Sequence, residues 1–226
     1  MTLASSTITE ARFKIRDESS TFFTSDTSIL TVINNIIQDI YTTLIHIESS
    51  LIYSHTTVTT TTGTTGSTNE VSLSIAHAGI MKDGVTRVGY GEWPLFAVTE
   101  DEKRVYNTDG ATGTAVRGIP EAYYLTENNS TMGFLWIPDN AYTFNVFYWK
   151  EVTALSATTE SLPFDGIFDR FIAQKLVVEL LEIMERDNSR AAIFAQNEWN
   201  KAMQRVYKLG LRKKKVVSNM FSIGGI

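Results

Sequence analysis

The chain has 226 residues, 43% of them hydrophobic and 20% charged, which suffices for one large or two small domains with a buried core. Its 25 acids against 20 bases give a net charge of -5, so no surface-wide affinity for phosphate is expected. The absence of cysteine excludes disulfides, thiolate metal sites and thiol chemistry, and leaves the chain compatible with a reducing cytosol.

The N-terminal "MTLASSTITEARFKIRDESS" alternates polar and apolar residues without the apolar core of a signal peptide, and no run of about 18 uncharged apolar residues follows. The expectation is therefore an intracellular, soluble product without a membrane partner. In "SDTSILTVINNIIQDIYTTLIHIESSL", Ile29, Ile33, Ile36, Ile40, Leu44, Ile47 and Leu51 recur at spacings of three and four, predicting a helix over 27–51 with caps among Ser25, Asp26 and Ser28. The threonine- and glycine-rich tract that follows His55 has no apolar period and reads as a loop or exposed ribbon.

From Val71 to Val152 the pattern is extended, with "VSLSIA" alternating and Asp83-Gly84 as a turn signal. Three apolar runs in "PEAYYLTENNSTMGFLWIPDNAYTFNVFYWKEV" predict a β-meander. Its last run places Tyr142, Phe144, Val146 and Tyr148 on one face and Asn145, Phe147 and Trp149 on the other, which predicts a strand covered on both sides.

The period returns to 3.6 after "ALSATTESLPFD", with Pro163 suited to a first turn and Asp165 and Asp169 to a helix N-terminus. Phe168, Phe171, Ile172, Leu176, Val178, Leu180, Ile183 and Met184 form an apolar face up to Arg186. A second helix from Ser189 to Leu209 presents Ala192, Phe194, Ala195, Trp199, Ala202 and Val206, and Gly210 is its expected stop. The fold class read from this order is α+β: a helical bundle of residues 1–54 and 153–210, an inserted antiparallel β module of residues 55–152, and an extended C-terminal tail of residues 211–226.

Little in the sequence points to chemistry. His46, His55 and His77 have no metal-ligand spacing, and no cofactor motif is present. No serine elbow exists for nucleophilic catalysis. Gly89–Gly91 and Gly110–Gly113 lack the lysine and helix of a phosphate cradle and read as turns. The acids Glu100, Asp101 and Glu102 read as an exposed turn, and the sequons at Asn128 and Asn129 carry no weight without a secretory signal. The chain reads as a non-enzyme.

The C-terminal "LGLRKKKVVSNMFSIGGI" concentrates its features. Arg212, Lys213, Lys214 and Lys215 precede an apolar end containing Val217, Met220, Phe221 and Ile223. No aromatic residue interleaves with the cations as in a single-strand platform, and a membrane anchor would be longer or lipidated. A DNA-binding arm remains the alternative reading; the favoured one is a docking segment steered by its cations and seated by its apolar residues.

The order of a capped helix, a β-rich insertion with Gly118-Ile119-Pro120, Tyr123, Leu135, Pro138, Tyr142, Tyr148 and Trp149, the "SLPFD" link, and two helices around Asp187 to Ala191 and Trp199 resembles the head-to-tail adaptor (connector) proteins of tailed bacteriophages. The resemblance covers about Asp26 to Leu209. It implies a virion protein of the neck, synthesised in the host cytoplasm and assembled as a homo-oligomeric ring, usually a dodecamer, under the portal. It further implies that the bundle forms the ring wall, that the β module faces a tail tube, nozzle or other tail component, and that the C-terminal segment engages the portal protein. Genome DNA would pass through the channel without sequence-specific binding.

Overall fold

The computed structural model describes residues 2–17, 22–23, 25–61, 70–73, 75, 77–89, 94–99, 102, 117–126 and 130–221, with residues 82 and 210–221 described by backbone alone. Its contacts divide the chain into two units, Met1–Ile52 with Val152–Ile226, and Tyr53–Glu151. The first is helical: α1 (Ala4–Ile15), α2 (Asp26–His46), α3 (Asp169–Ile183) and α4 (Ser189–Phe221).

Helix α1 falls where the sequence pattern reads as mere alternation. Its buried side holds Ala4, Thr7, Ile8, Ala11 and Ile15, a stripe in which two alanines and a threonine dilute the two isoleucines, which gives little amphipathic contrast. An ion-pair knot fixes its C-terminal end. Arg12, 7% exposed, reaches Asp17 through Nη1 at 3.0 Å and Asp26 through Nη2 at 2.7 Å. Asp17 in turn accepts from the backbone N–H groups of Phe22 and Phe23 at 2.8 and 3.1 Å, so the buried carboxylate is well supplied with donors.

Helix α2 opens with Ser25 accepting from the Thr27 amide and buries Ile29, Ile33, Ile36, Ile40 and Leu44, the expected stripe. It ends five residues before the expected Leu51. Glu48 takes a left-handed φ of 50°, and the Ser49 amide donates to the Leu44 carbonyl, closing a Schellman cap. The same 6→1 bond closes α1, with Arg16 at φ 60° and Asp17 donating to Arg12, and α3, with Glu185 at φ 53° and Arg186 donating to Leu181. None of the three left-handed residues is glycine.

The link before α3 is held from two sides. Asn34 on α2 clamps Leu155, its Nδ2 donating to the carbonyl at 3.0 Å and its Oδ1 accepting from the amide at 2.8 Å. Ala4 and Ser5 donate to the carbonyls of Glu160 and Thr158, and Leu162 donates to that of Thr2. Pro163 does not open a helix as expected: Phe164, Asp165 and Gly166 form a 3-10 turn, all three at positive φ, and α3 begins at Asp169. Phe168, fully buried, packs edge-on to Phe164 and against Trp199.

Among the described residues the second unit holds nine strands: β1 (Tyr53–Thr59), β2 (Glu70–Ser72), β3 (His77–Arg87), β4 (Phe96–Ala97), β5 (Arg117–Gly118), β6 (Ala122–Leu125), β7 (Thr131–Leu135), β8 (Ile137–Pro138) and β9 (Thr143–Lys150). One sheet has the order β1-β9-β3, a second β2-β7-β6-β4, and β5 pairs β8. The pairs β4–β6 and β5–β8 are parallel, so the module is not wholly antiparallel as expected. Nor is it a meander, because β6 and β7 form a hairpin while β9 crosses to the other sheet. Phe134 of β7 and Phe144 of β9 stack at 4.7 Å, and Val58, Val85, Met132 and Val146 complete a core between the two sheets.

Asp83-Gly84 does not separate two strands. Asp83 sits at φ 55° within β3, where the register against β9 slips between Ile80 and Val85. A Cβ on Gly84 would lie 2.7 Å from the Met81 carbonyl and 2.8 Å from that of Phe147, so this bulge requires glycine. The threonine tract begins as strand β1, in unbroken register with β9 from Tyr53 opposite Trp149 to Thr59 opposite Thr143.

Candidate functional site

Helix α4 is the most asymmetric element of the helical unit. At 33 residues it spans about 50 Å, against about 22 Å for α3. Asp187 caps its start, its carboxylate held below the ordinary range by hydrogen bonds from Ser189, at 3.0 Å from that amide. Its buried stripe is Ala195, Ala202 and Val206, with Trp199 half-buried against Phe171 at 4.9 Å.

Two expectations about α4 change. Phe194 and Ala192 are exposed rather than part of the buried face, because at 100° per residue Phe194 lies about 100° round the helix from Ala195. Ile193 and Phe194 are 64% and 54% exposed. The helix also passes Gly210 and continues to Phe221, where a stop and an extended tail were expected. A glycine inside a helix costs only about 1 kcal/mol, and the flanking Leu209, Leu211 and Arg212 are strong helix formers. Arg212, Lys213, Lys214, Lys215, Val217, Met220 and Phe221 thus lie on helical backbone, and Ile223 lies outside the described residues.

Between α2, α3 and α4 runs an open groove of about 320 Å³. Ile36, Ile40, Phe171, Val178 and Trp199 line it, and Asp39 and Lys175 stand at its rim. Sequence reasoning assigned these apolar residues to the core and did not separate the groove from it.

In the second unit the β9 face expected to be covered is open. Phe144, Val146 and Tyr148 are buried, whereas Phe147 is 39% exposed and Trp149 only partly buried. Opposite them on β1 stand His55 and Tyr53, with ring separations of 5.7 Å for His55–Phe147 and 4.6 Å for Tyr53–Trp149. The alternation was legible in sequence; which side the second sheet would cover was not.

Among the described residues no group of three or more His, Cys, Asp or Glu is placed to hold a metal ion. His46 ends α2, His55 lies on β1 and His77 on β3, near the Tyr148 ring. Of the three acids, Glu100 and Asp101 lie outside the described residues. Glu102 accepts from the Thr99 amide at 2.7 Å and hydroxyl at 3.0 Å, which lowers its pKa and makes it the cap of a turn. Gly110–Gly113, Asn128 and Asn129 also lie outside the described residues, and among those described no helix is long and apolar enough to cross a membrane.

Comparison with known families decides what these surfaces belong to. A model described as SU10 adaptor protein matches residues 1–219, both units together. The chain belongs to the SU10 adaptor protein family. It is a structural head-to-tail adaptor of a tailed bacteriophage. No curated protein matches the chain. The matched span includes α4 almost to its end, so the helical continuation past Gly210 falls within the family's extent. The surfaces of this adaptor are thus candidates for protein contact: an apolar groove, an exposed helix face with Ile193 and Phe194, and an open aromatic sheet face.

Proposed function

We propose that this adaptor is the subunit of a homo-oligomeric ring in the virion neck, of twelve copies, that joins the portal protein to the tail and continues the DNA channel. Its C-terminal segment docks into the portal, with Arg212, Lys213, Lys214 and Lys215 steering it and Val217, Met220, Phe221 and Ile223 supplying the buried contact. The β unit meets the tail tube, nozzle or other tail component, and the genome passes without sequence-specific binding. Supporting this reading above all is the family match over 1–219, joined to a helical backbone that runs past Gly210 to Phe221. Helix in place of the expected extended tail changes the docking mode to a helix laid in a groove.

Truncation after Leu209 tests the docking role. Co-sedimentation with portal is expected to be lost while the helical circular dichroism of the remainder is kept, and undiminished co-sedimentation overturns it. One observation favours a second reading, DNA binding: α4 carries eight Lys and Arg against one Glu. That reading requires duplex retention that falls steeply with salt and weakens when Arg212 to Lys215 become glutamine.

A further inference from the structure

Charge in the helical unit is split between one helix and the rest. With eight bases and one acid, α4 has a formal charge of +7, while the remainder of the unit has six bases and thirteen acids, or -7. Arg190, Lys201, Arg205 and Lys208 are exposed, on the side of α4 away from Ala195, Ala202 and Val206. Among the described residues the ion pair formed on this face is Lys201 with Glu198, within the helix itself. At the N-terminal end of the same face stand the exposed Ile193 and Phe194.

The groove is the counterpart. Its floor is Ile36, Ile40, Phe171 and Trp199, its rim carries Asp39 and Lys175, the latter paired with Glu179, and it opens on the flank of α4 marked by Ala192 and Gln196, away from Phe194. One chain therefore carries an apolar projection set in positive charge and, on a different side, an apolar recess in a unit whose other segments are acidic.

We propose that the outward face of α4 in one copy packs into the α2–α3–α4 groove of the next copy, with Ile193 and Phe194 filling the groove and Arg190 beside Asp39. Two unlike patches on one chain make a heterologous contact, which propagates in one direction and closes when the rotation divides the circle. The occupant is a second copy because the stretch Ser189 to Lys208, with four bases against Glu198, and the acid-rich remainder of the helical unit belong to the same chain and complement each other. Exposed Ile and Phe side chains gain from an apolar recess and have nothing to gain from a phosphate backbone. This contact rests on the ring reading and supplies its subunit interface; it uses Ser189 to Lys208, leaving residues 212–223 to the portal.

The chain has no cysteine, so introduced thiols report only the chosen pair. Full-length Arg190→Cys and Asp39→Cys, purified separately, mixed and oxidised, are expected to give a covalent dimer that neither gives alone. The double variant is expected to give a ladder ending at the ring number. Phe194→Asp, at an exposed position, is expected to abolish rings by mass photometry with unchanged circular dichroism, and wild-type rings are expected to weaken as salt rises. Unchanged rings from Phe194→Asp without cross-linking would place the interface elsewhere and overturn the proposal, leaving the adaptor reading intact. Wild-type chain that forms no ring, alone or with portal, overturns both. If Arg190→Gln, Lys201→Gln and Arg205→Gln together lose duplex retention while rings persist, the stripe is a DNA face and the proposal fails.

Discussion

The two units bury their cores by different routes. The helical unit draws on both ends of the chain: α1 is pinned to the 155–162 link, α2 clamps it through Asn34, and Phe168, just before α3, packs on Phe164 and on Trp199 of α4. The β unit is continuous in sequence, opening and closing on one strand pair, Tyr53 opposite Trp149. A unit assembled from distant segments depends on single anchoring residues at its joints. One assembled from consecutive strands depends more on its central ring stack, and its core should survive damage to the other unit.

The sharpest test of that contrast is a matched pair. Phe168→Ala and Phe134→Ala each remove a fully buried ring and are expected to cost about 3–5 kcal/mol. Each loss should be confined to its own unit, read as two denaturant transitions, with Trp199 reporting the helices and Trp149 the sheets; a single shared transition would break the comparison. Next in size, Arg12→Ala leaves the Asp17 carboxylate buried without its cation and is expected to cost about 3 kcal/mol in the helical transition alone.

The smallest effect is one of pH. Ser156 and Ala157 donate to the Glu160 carboxylate, chiefly through the Ser156 hydroxyl, and hold its pKa below the ordinary 4.5. A depressed folded pKa stabilises the native state above that value and ceases to do so as pH falls through the folded pKa. The helical midpoint should therefore decline as pH falls below the ordinary carboxylate range and through the folded pKa, and less so in Glu160→Gln, while the β transition keeps its midpoint with respect to this substitution.

Legibility differed for physical reasons. Helices α2 and α3 were readable because long aliphatic residues repeat at three and four. Helix α1 was not, since Ala4, Thr7 and Ala11 bury a face without strong hydropathic contrast. Helix ends were misplaced because Glu48 and Glu185 adopt the left-handed cap usually marked by glycine, and because Gly210, which looks like such a cap, lies within α4. Among residues proposed for contact, the C-terminal cations and apolar positions stood out by composition, whereas Ile193 and Phe194 resembled any core pair.

The sequence by itself determined the alternation of helical and extended segments, the absence of cysteine and the concentration of positive charge toward the C-terminus, all properties of local order. Only the tertiary structure decided which side of α4 is spent on the core, that β9 pairs in a different sheet from the β6–β7 hairpin, and that Phe147 stays exposed. Those outcomes follow from which distant surface arrives to exclude water, and periodicity marks an apolar face without naming what covers it.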